Sequence, residues 1–266
     1  MDSNKNNKPK KKKKDRGRII IILLALLLIL AGVIIAAYPY IIQWVFNNRQ
    51  QDLMDMWSQK KDGGLANTYD IIVGRTPPDD NNDDIMGNDD IFEEDIDAFF
   101  DYDYAYNNMI GILKIPDINM RSPILVGDTQ KNLNVGVCEV KQSVRAGQPG
   151  NYILAGHYSR VYGRHFNRIF EIRVGSPENH GTSVFVETAE ETYEYIIYER
   201  LQVKADDTWA VPINITEELR KQKEAEKIPE DCASIITLIT CDYSFGEPYG
   251  RVIVKGWLND NKNDNK

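Results

Sequence analysis

From Ile19 to Ala37 the chain carries no charged residue. A helix of about 19 residues, rising about 1.5 Å per residue, spans about 28 Å, close to the roughly 30 Å hydrocarbon core of a bilayer. The run therefore predicts a transmembrane helix within residues 19–45. Lys10 to Lys14, Arg16 and Arg18 precede it, and Tyr38, Tyr40 and Trp44 follow it. Positive flanks stay cytoplasmic, and aromatic side chains settle at the headgroup level. This places residues 1–18 inside as a basic tail and the rest of the chain outside a single-pass anchor in the cell membrane. A cleaved signal peptide is the competing reading, with Ala36-Ala37 as its cleavage point, but its apolar region is normally only about 7 to 15 residues long.

Residues 46–107 form an extracellular linker. Asn47 to Lys61 have the mixed polarity of a helical stalk, and Gly63-Gly64 punctuates it. Pro77-Pro78 then leads into Asp79-Asp80-Asn81-Asn82-Asp83-Asp84, with further acids through Asp103. Such blocks repel themselves and stay solvated. With Gly87 as the sixth loop position, Asn82, Asp84, Asn88, Asp90 and Glu93 fall where an EF-hand places ligands. Against calcium, the first position is Asn, the fifth is Met86, and the two prolines disfavour an entering helix. No metal and no cofactor is expected. Ile91, Phe92, Ile96, Phe99, Phe100, Tyr102 and Tyr104 leave a third reading open, in which part of this segment covers the following domain as a lid.

After Asn108 short apolar runs alternate with turn residues, the texture of an all-β domain. Strands are expected at Met109–Ile115, Met120–Val126, Asn151–Ala155, Ser183–Glu187, Thr192–Val203, Ser234–Thr240 and Arg251–Trp257 of a domain spanning 108–258, with a polar tail at 259–266. A closed barrel is the economical arrangement, because closure removes exposed edges. Thr216 to Lys227 reads as an exposed helix inserted between late strands. The net charge of −8 argues against nucleic acid as a partner of this domain, since its lysines and arginines are not clustered. Cys138, Cys232 and Cys241 are odd in number and have no CxxC spacing, so at least one thiol stays unpaired within the monomer and a zinc site is not indicated.

Two segments carry chemistry. Thr237-Leu238-Ile239-Thr240-Cys241 ends a β-branched strand on a cysteine, and Tyr152-Ile153-Leu154-Ala155-Gly156-His157 ends another on a histidine. Taken singly, each is more often a packed side chain than a catalytic one. With Gly250-Arg251-Val252-Ile253-Val254 they match the sortase family in order and character, and residues 108 to 258 resemble it. The resemblance implies an eight-stranded β-barrel. It also implies a cysteine transpeptidase of Gram-positive cells that cuts an LPXTG-like signal between Thr and Gly. Cys241 would then be the nucleophile, His157 the proton carrier and Arg251 the oxyanion or substrate partner, with Thr240 helping in the same place. Its partners would be the sorting signal of a secreted protein and an amine of a peptidoglycan precursor or pilin. Acyl transfer needs these three kinds of group. Reference pKa values near 8.5 and 6.5 disfavour a thiolate–imidazolium pair about a hundredfold. Attraction of roughly 4 kcal/mol at about 4 Å and an effective dielectric near 20 reverses this, so separation decides the resting state.

His165, within Tyr162 to Arg168, reads as structural, and His180 as solvated. Cys138 and Cys232 lack the strand-end setting and read as buried thiols. The subclass stays open: the inserted helix and Tyr243-Ser244-Phe245 resemble class B, whereas TLITC and Tyr162 to Arg168 resemble classes A and D. Two other functions remain in view, an anchored barrel that binds a partner without turnover and a hydrolytic cysteine protease.

Overall fold

The computed structural model describes residues 14–62, 101–158, 166–204, 206–242 and 250–260. The acidic run from residue 79, the EF-hand-like loop, the lid residues up to Phe100, His165 and Tyr243-Ser244-Phe245 lie outside the described residues. The chain divides into two compact units, Met1–Trp44 and Val45–Lys266. Helix α1 (Lys14–Asp62) begins in the first. Its stretch Gly17–Gln59 is the one helix among the described residues long and apolar enough to cross a membrane.

The second unit is a closed barrel. Its strands are β1 (Met109–Ile115), β2 (Met120–Val126), β3 (Val137–Glu139), β4 (Gly150–Ala155), β5 (Ser183–Thr188), β6 (Thr192–Lys204), β7 (Ser234–Asp242) and β8 (Gly250–Leu258). They neighbour one another in the order β1-β2-β3-β4-β7-β8-β6-β5, and β5 closes onto β1. All neighbours are antiparallel except β2–β3 and β4–β7. Seven strands match the sequence expectation to within two residues at each end. The eighth, β3, has three residues, too few to display an alternating pattern.

Strand periodicity sorts the side chains into two sets. Leu113, Ile115, Leu154, Val184, Val186, Tyr195, Ile197, Ile236, Leu238, Val252 and Val254 share the main core. On the outer face Ile112, Ile153, Ile196, Ile235 and Ile253 are buried as well, because further elements cover them. One cover is the C-terminal part of α1, where Phe46, Leu53, Met54 and Trp57 join Ala105, Met109, Ile112, Leu125 and Val135. Ala105 belongs to helix α2 (Tyr102–Asn108), which leads into β1. Gln50 Nε2 donates to the Val135 carbonyl at 2.5 Å, and Lys61 pairs with Glu187 of β5 at 3.4 Å. The compact unit that starts at Val45 thus takes in the C-terminal part of α1. The signal is in the spacing of Phe46, Leu53, Met54 and Trp57, which lie on one helical face.

Helix α3 (Gln130–Val135) follows β2 and packs near β3. Helix α4 (Thr216–Glu224), the insertion expected from sequence, covers β6 and β8 together with Ile196, Tyr198, Ile215, Ile228, Cys232, Ile235 and Trp257. Beneath it Lys255 is 1% exposed, and its ammonium lies 2.8 Å from Glu218 of α4 and 3.3 Å from Glu199 of β6. Removing one partner of such a buried group leaves the others desolvated and uncompensated. Lys255→Met is expected to destabilise the barrel by about 3–5 kcal/mol, read as a lowered urea midpoint at unchanged m-value.

Glu187 links β5 to α1 and β1. Burial pushes its carboxyl up, but hydrogen bonding and attraction from Lys114, with Lys61 adding to both, outweigh burial and hold it below its ordinary value of 4.5. A depressed carboxyl stabilises the fold fully above the unfolded value, and this contribution is lost as pH falls through the folded one. Acidification below pH 4.5 is therefore expected to loosen the 45–62 helix first. Earlier amide exchange there than in β7 checks this, and Glu187→Gln should remove the pH dependence.

Candidate active site

Along β7, Ile236, Leu238 and Thr240 alternate with Ile235, Thr237, Ile239 and Cys241. The even set contributes Ile236 and Leu238 to the barrel core, so Cys241 lies on the outer face, at the penultimate position of the strand. In the β7–β8 ladder Cys241 is the direct partner of Arg251. Residues directly opposed across antiparallel strands keep their Cβ atoms about 4.5–5.5 Å apart on one face. Sulfur and guanidinium are thus neighbours because of register alone. Arg251 Nη1 also donates to the Gly250 carbonyl at 2.8 Å.

His157 reaches the same place from the other side. Strands β4 and β7 run parallel, with Ala155 paired to Ile239. The pairing continues past the end of β4, where Gly156 N donates to the Ile239 carbonyl at 3.1 Å. Two residues beyond Ala155 and two beyond Ile239 lie His157 and Cys241, so the same register brings them level. Thr240 Oγ1 donates to the Gly156 carbonyl at 2.7 Å. Its side chain is fully buried and faces away from the side that carries Cys241. Phe166 N donates to the His157 carbonyl at 3.1 Å. A Cβ on Gly156 would stand 2.6 Å from the Phe166 ring and 3.1 Å from Val137 Cγ1. Glycine is required here so that the chain can pass between β3 and Phe166 while turning out His157. Gly156→Ala is expected to displace His157 and lower turnover about 100-fold, with a small change in KM, measured by steady-state kinetics.

Exposure does not separate the three thiols, at 0% for Cys138, 7% for Cys232 and 8% for Cys241. Their surroundings do. Cys138 lies in β3 among Leu133 and Ala155, and burial, reinforced by Asp128, pushes its thiol well above the ordinary range. Cys232 lies under α4, its sulfur 3.4 Å from the Ser234 carbonyl, and burial raises it too. Neither has an arginine as cross-strand partner. No disulfide joins the three. His180 is exposed, as expected. Among the described residues no group of three or more His, Cys, Asp or Glu side chains is arranged to hold a metal. A cavity of about 100 Å³ is bounded by Glu139, Arg145, Tyr152 and Tyr193, and none of Cys241, His157 and Arg251 lines it.

Sequence reasoning missed Gln130. This first residue of α3 brings its amide Nε2 to 3.1 Å from His157 Nε2 and 3.4 Å from Asn134 Oδ1. The available signal was Gly127-Asp128-Thr129, a turn followed by a capping residue.

The closed eight-stranded barrel is that of a sortase. The family model of the Sortase domain matches residues 113–259, more than half of the chain, and the chain belongs to the sortase family, whose members are cysteine transpeptidases. Sortase A of Bacillus anthracis is 29% identical over 150 residues, covering 56% of this chain and 60% of the relative. Sortase A of Listeria monocytogenes is 26% identical over 139 residues, covering 52% of each. The match thus spans less than two thirds of either relative. A Clostridium perfringens Sortase D5 transpeptidase superimposes with a TM-score of 0.51 at 17% identity, covering 80% of this chain and 99% of that one. At that identity the likeness is one of fold.

Proposed function

We propose that this chain is a membrane-anchored transpeptidase that cleaves an LPXTG-like sorting signal between Thr and Gly and joins the freed acyl group to an amine of the cell wall or of a pilin. The reading rests on the cross-strand pairing of Cys241 with Arg251 beside the His157 end of the parallel neighbour. The apolar helix near the N-terminus supports anchoring, and the basic residues before it favour a cytoplasmic N-terminus with the barrel outside.

The Cys241 sulfur, its proton passed to His157, attacks the threonine carbonyl carbon. Charge develops on the carbonyl oxygen, where Arg251 offers donors in a site of reduced dielectric. The C–N bond breaks as His157 returns the proton to the departing glycine amine, leaving a thioester. An acceptor amine then attacks the thioester carbon and gives its proton to His157. The C–S bond breaks and the new amide leaves. Thr240, bonded to the Gly156 carbonyl, holds the backbone that presents His157, a positioning task rather than direct contact with the oxyanion.

The test is incubation of the full chain in detergent with a fluorescent LPXTG peptide and triglycine, followed by mass spectrometry. Ligated peptide should exceed the hydrolysed acid, and a thioacyl adduct should map to Cys241. Cys241→Ala is expected to abolish both products, Arg251→Ala to lower kcat about 10²- to 10³-fold, and Cys138→Ala to leave activity intact. An adduct on Cys138 or Cys232 would sink the assignment. Acid as the main product at saturating triglycine would turn the reading to a hydrolytic protease, and neither product to a binding module.

A further inference from the structure

We propose that Gln130 is a positioning residue that tethers His157 by Nε2 and so reserves Nδ1 for proton exchange at Cys241. This rests on the reading of His157 as proton carrier. The primary observation is the 3.1 Å approach of the Gln130 amide to His157 Nε2. An incidental surface contact would come from a loosely held side chain, and Gln130 is not one. Its amide is also held by Asn134, one helical turn on.

Helix α3 itself is fixed from several directions. Thr129 caps it through Asn132 N at 3.3 Å. The fully buried Asn132 side chain donates to the Val126 and Gly127 carbonyls at 2.8 and 2.9 Å. Lys131 stands 3.7 Å from the centre of the Tyr104 ring, and Gln50 of α1 binds the Val135 carbonyl at the far end. A short helix so restrained can act as a mount for a ring nitrogen.

The choice of an amide has a chemical reason. With Nδ1 gaining and losing the proton, Nε2 carries N–H in both the neutral and the protonated ring and stays a donor throughout. A carboxylate would favour only the protonated ring, and an alkyl side chain neither. A terminal amide, its oxygen turned to the ring by a half-turn, accepts from Nε2–H in both forms and adds no charge. Gln130 can therefore stay with Nε2 through the whole cycle, while the other ring nitrogen exchanges protons with the sulfur and the amines.

The experiment compares the full chain with Gln130→Met and Gln130→Glu in detergent by ligation kinetics and by ¹⁵N resonances of the His157 ring. The Met variant is expected to lose about 10- to 100-fold in kcat, with KM changed less than about twofold, and to shift the Nε2 resonance of His157 but not that of His180. The Glu variant, which can still bind Nε2–H, should fall between Met and wild type in kcat. A Met variant with unchanged Tm, wild-type kcat and an unmoved Nε2 resonance overturns the proposal. Should the Met chain not fold, a Glu variant with unmoved ring resonances does the same. The ring resonance needs no turnover. A wild-type chain that ligates nothing therefore counts against the transpeptidase reading, whereas an active chain indifferent to residue 130 counts against the tether alone.

Discussion

The parallel pairing of β4 with β7 is the constraint on which the rest depends. The six pairs from Gly150–Ser234 to Ala155–Ile239 fix the axial level at which both strands end. The Gly156–Ile239 and Thr240–Gly156 hydrogen bonds carry that level past the end of β4. A slip of one residue would turn Cys241 toward the barrel interior and Thr240 outward, because neighbouring strand residues face opposite sides. The antiparallel β7–β8 ladder then adds Arg251 to the same level. The site is thus a product of two registers, and only its histidine needs help from outside the sheet.

Packing on the outside of the barrel secures those registers. Among the described residues, further buried clusters lie outside the main core, beneath α1, α4 and α3 with its neighbours. A strand apolar on both faces has no solvent side to fix its orientation, so covering elements must specify it. The buried Lys255 group under α4 contributes polar specificity of that kind, since a shift of β8 against β6 would separate its ammonium from two carboxylates.

The sequence made the barrel readable because turn residues divide its strands and β-branched residues fill them. Cys241, His157 and Arg251 stood out through strand-end position and family order. What stayed hidden depended on contacts distant in sequence. Gln130 is unremarkable among the polar residues after Gly127, and only folding brings it to a ring 27 positions later. Thr240 read as a possible oxyanion partner by adjacency to Cys241, yet strand alternation sends its hydroxyl to Gly156 instead. Asn47 to Lys61 read as a helical stalk because charged residues dilute their apolar side chains, although Phe46, Leu53, Met54 and Trp57 are spaced as a stripe that β1 and β2 receive.

The last pair of the β7–β8 ladder, Asp242 with Gly250, lies immediately outside Cys241 and Arg251. The connection between these strands therefore leaves and re-enters the sheet beyond a closed rung. Changes in its length or composition can be absorbed without altering the alignment of sulfur and guanidinium. The segment between β7 and β8 can thus be exchanged while Cys241 and Arg251 inherit their spacing from the ladder.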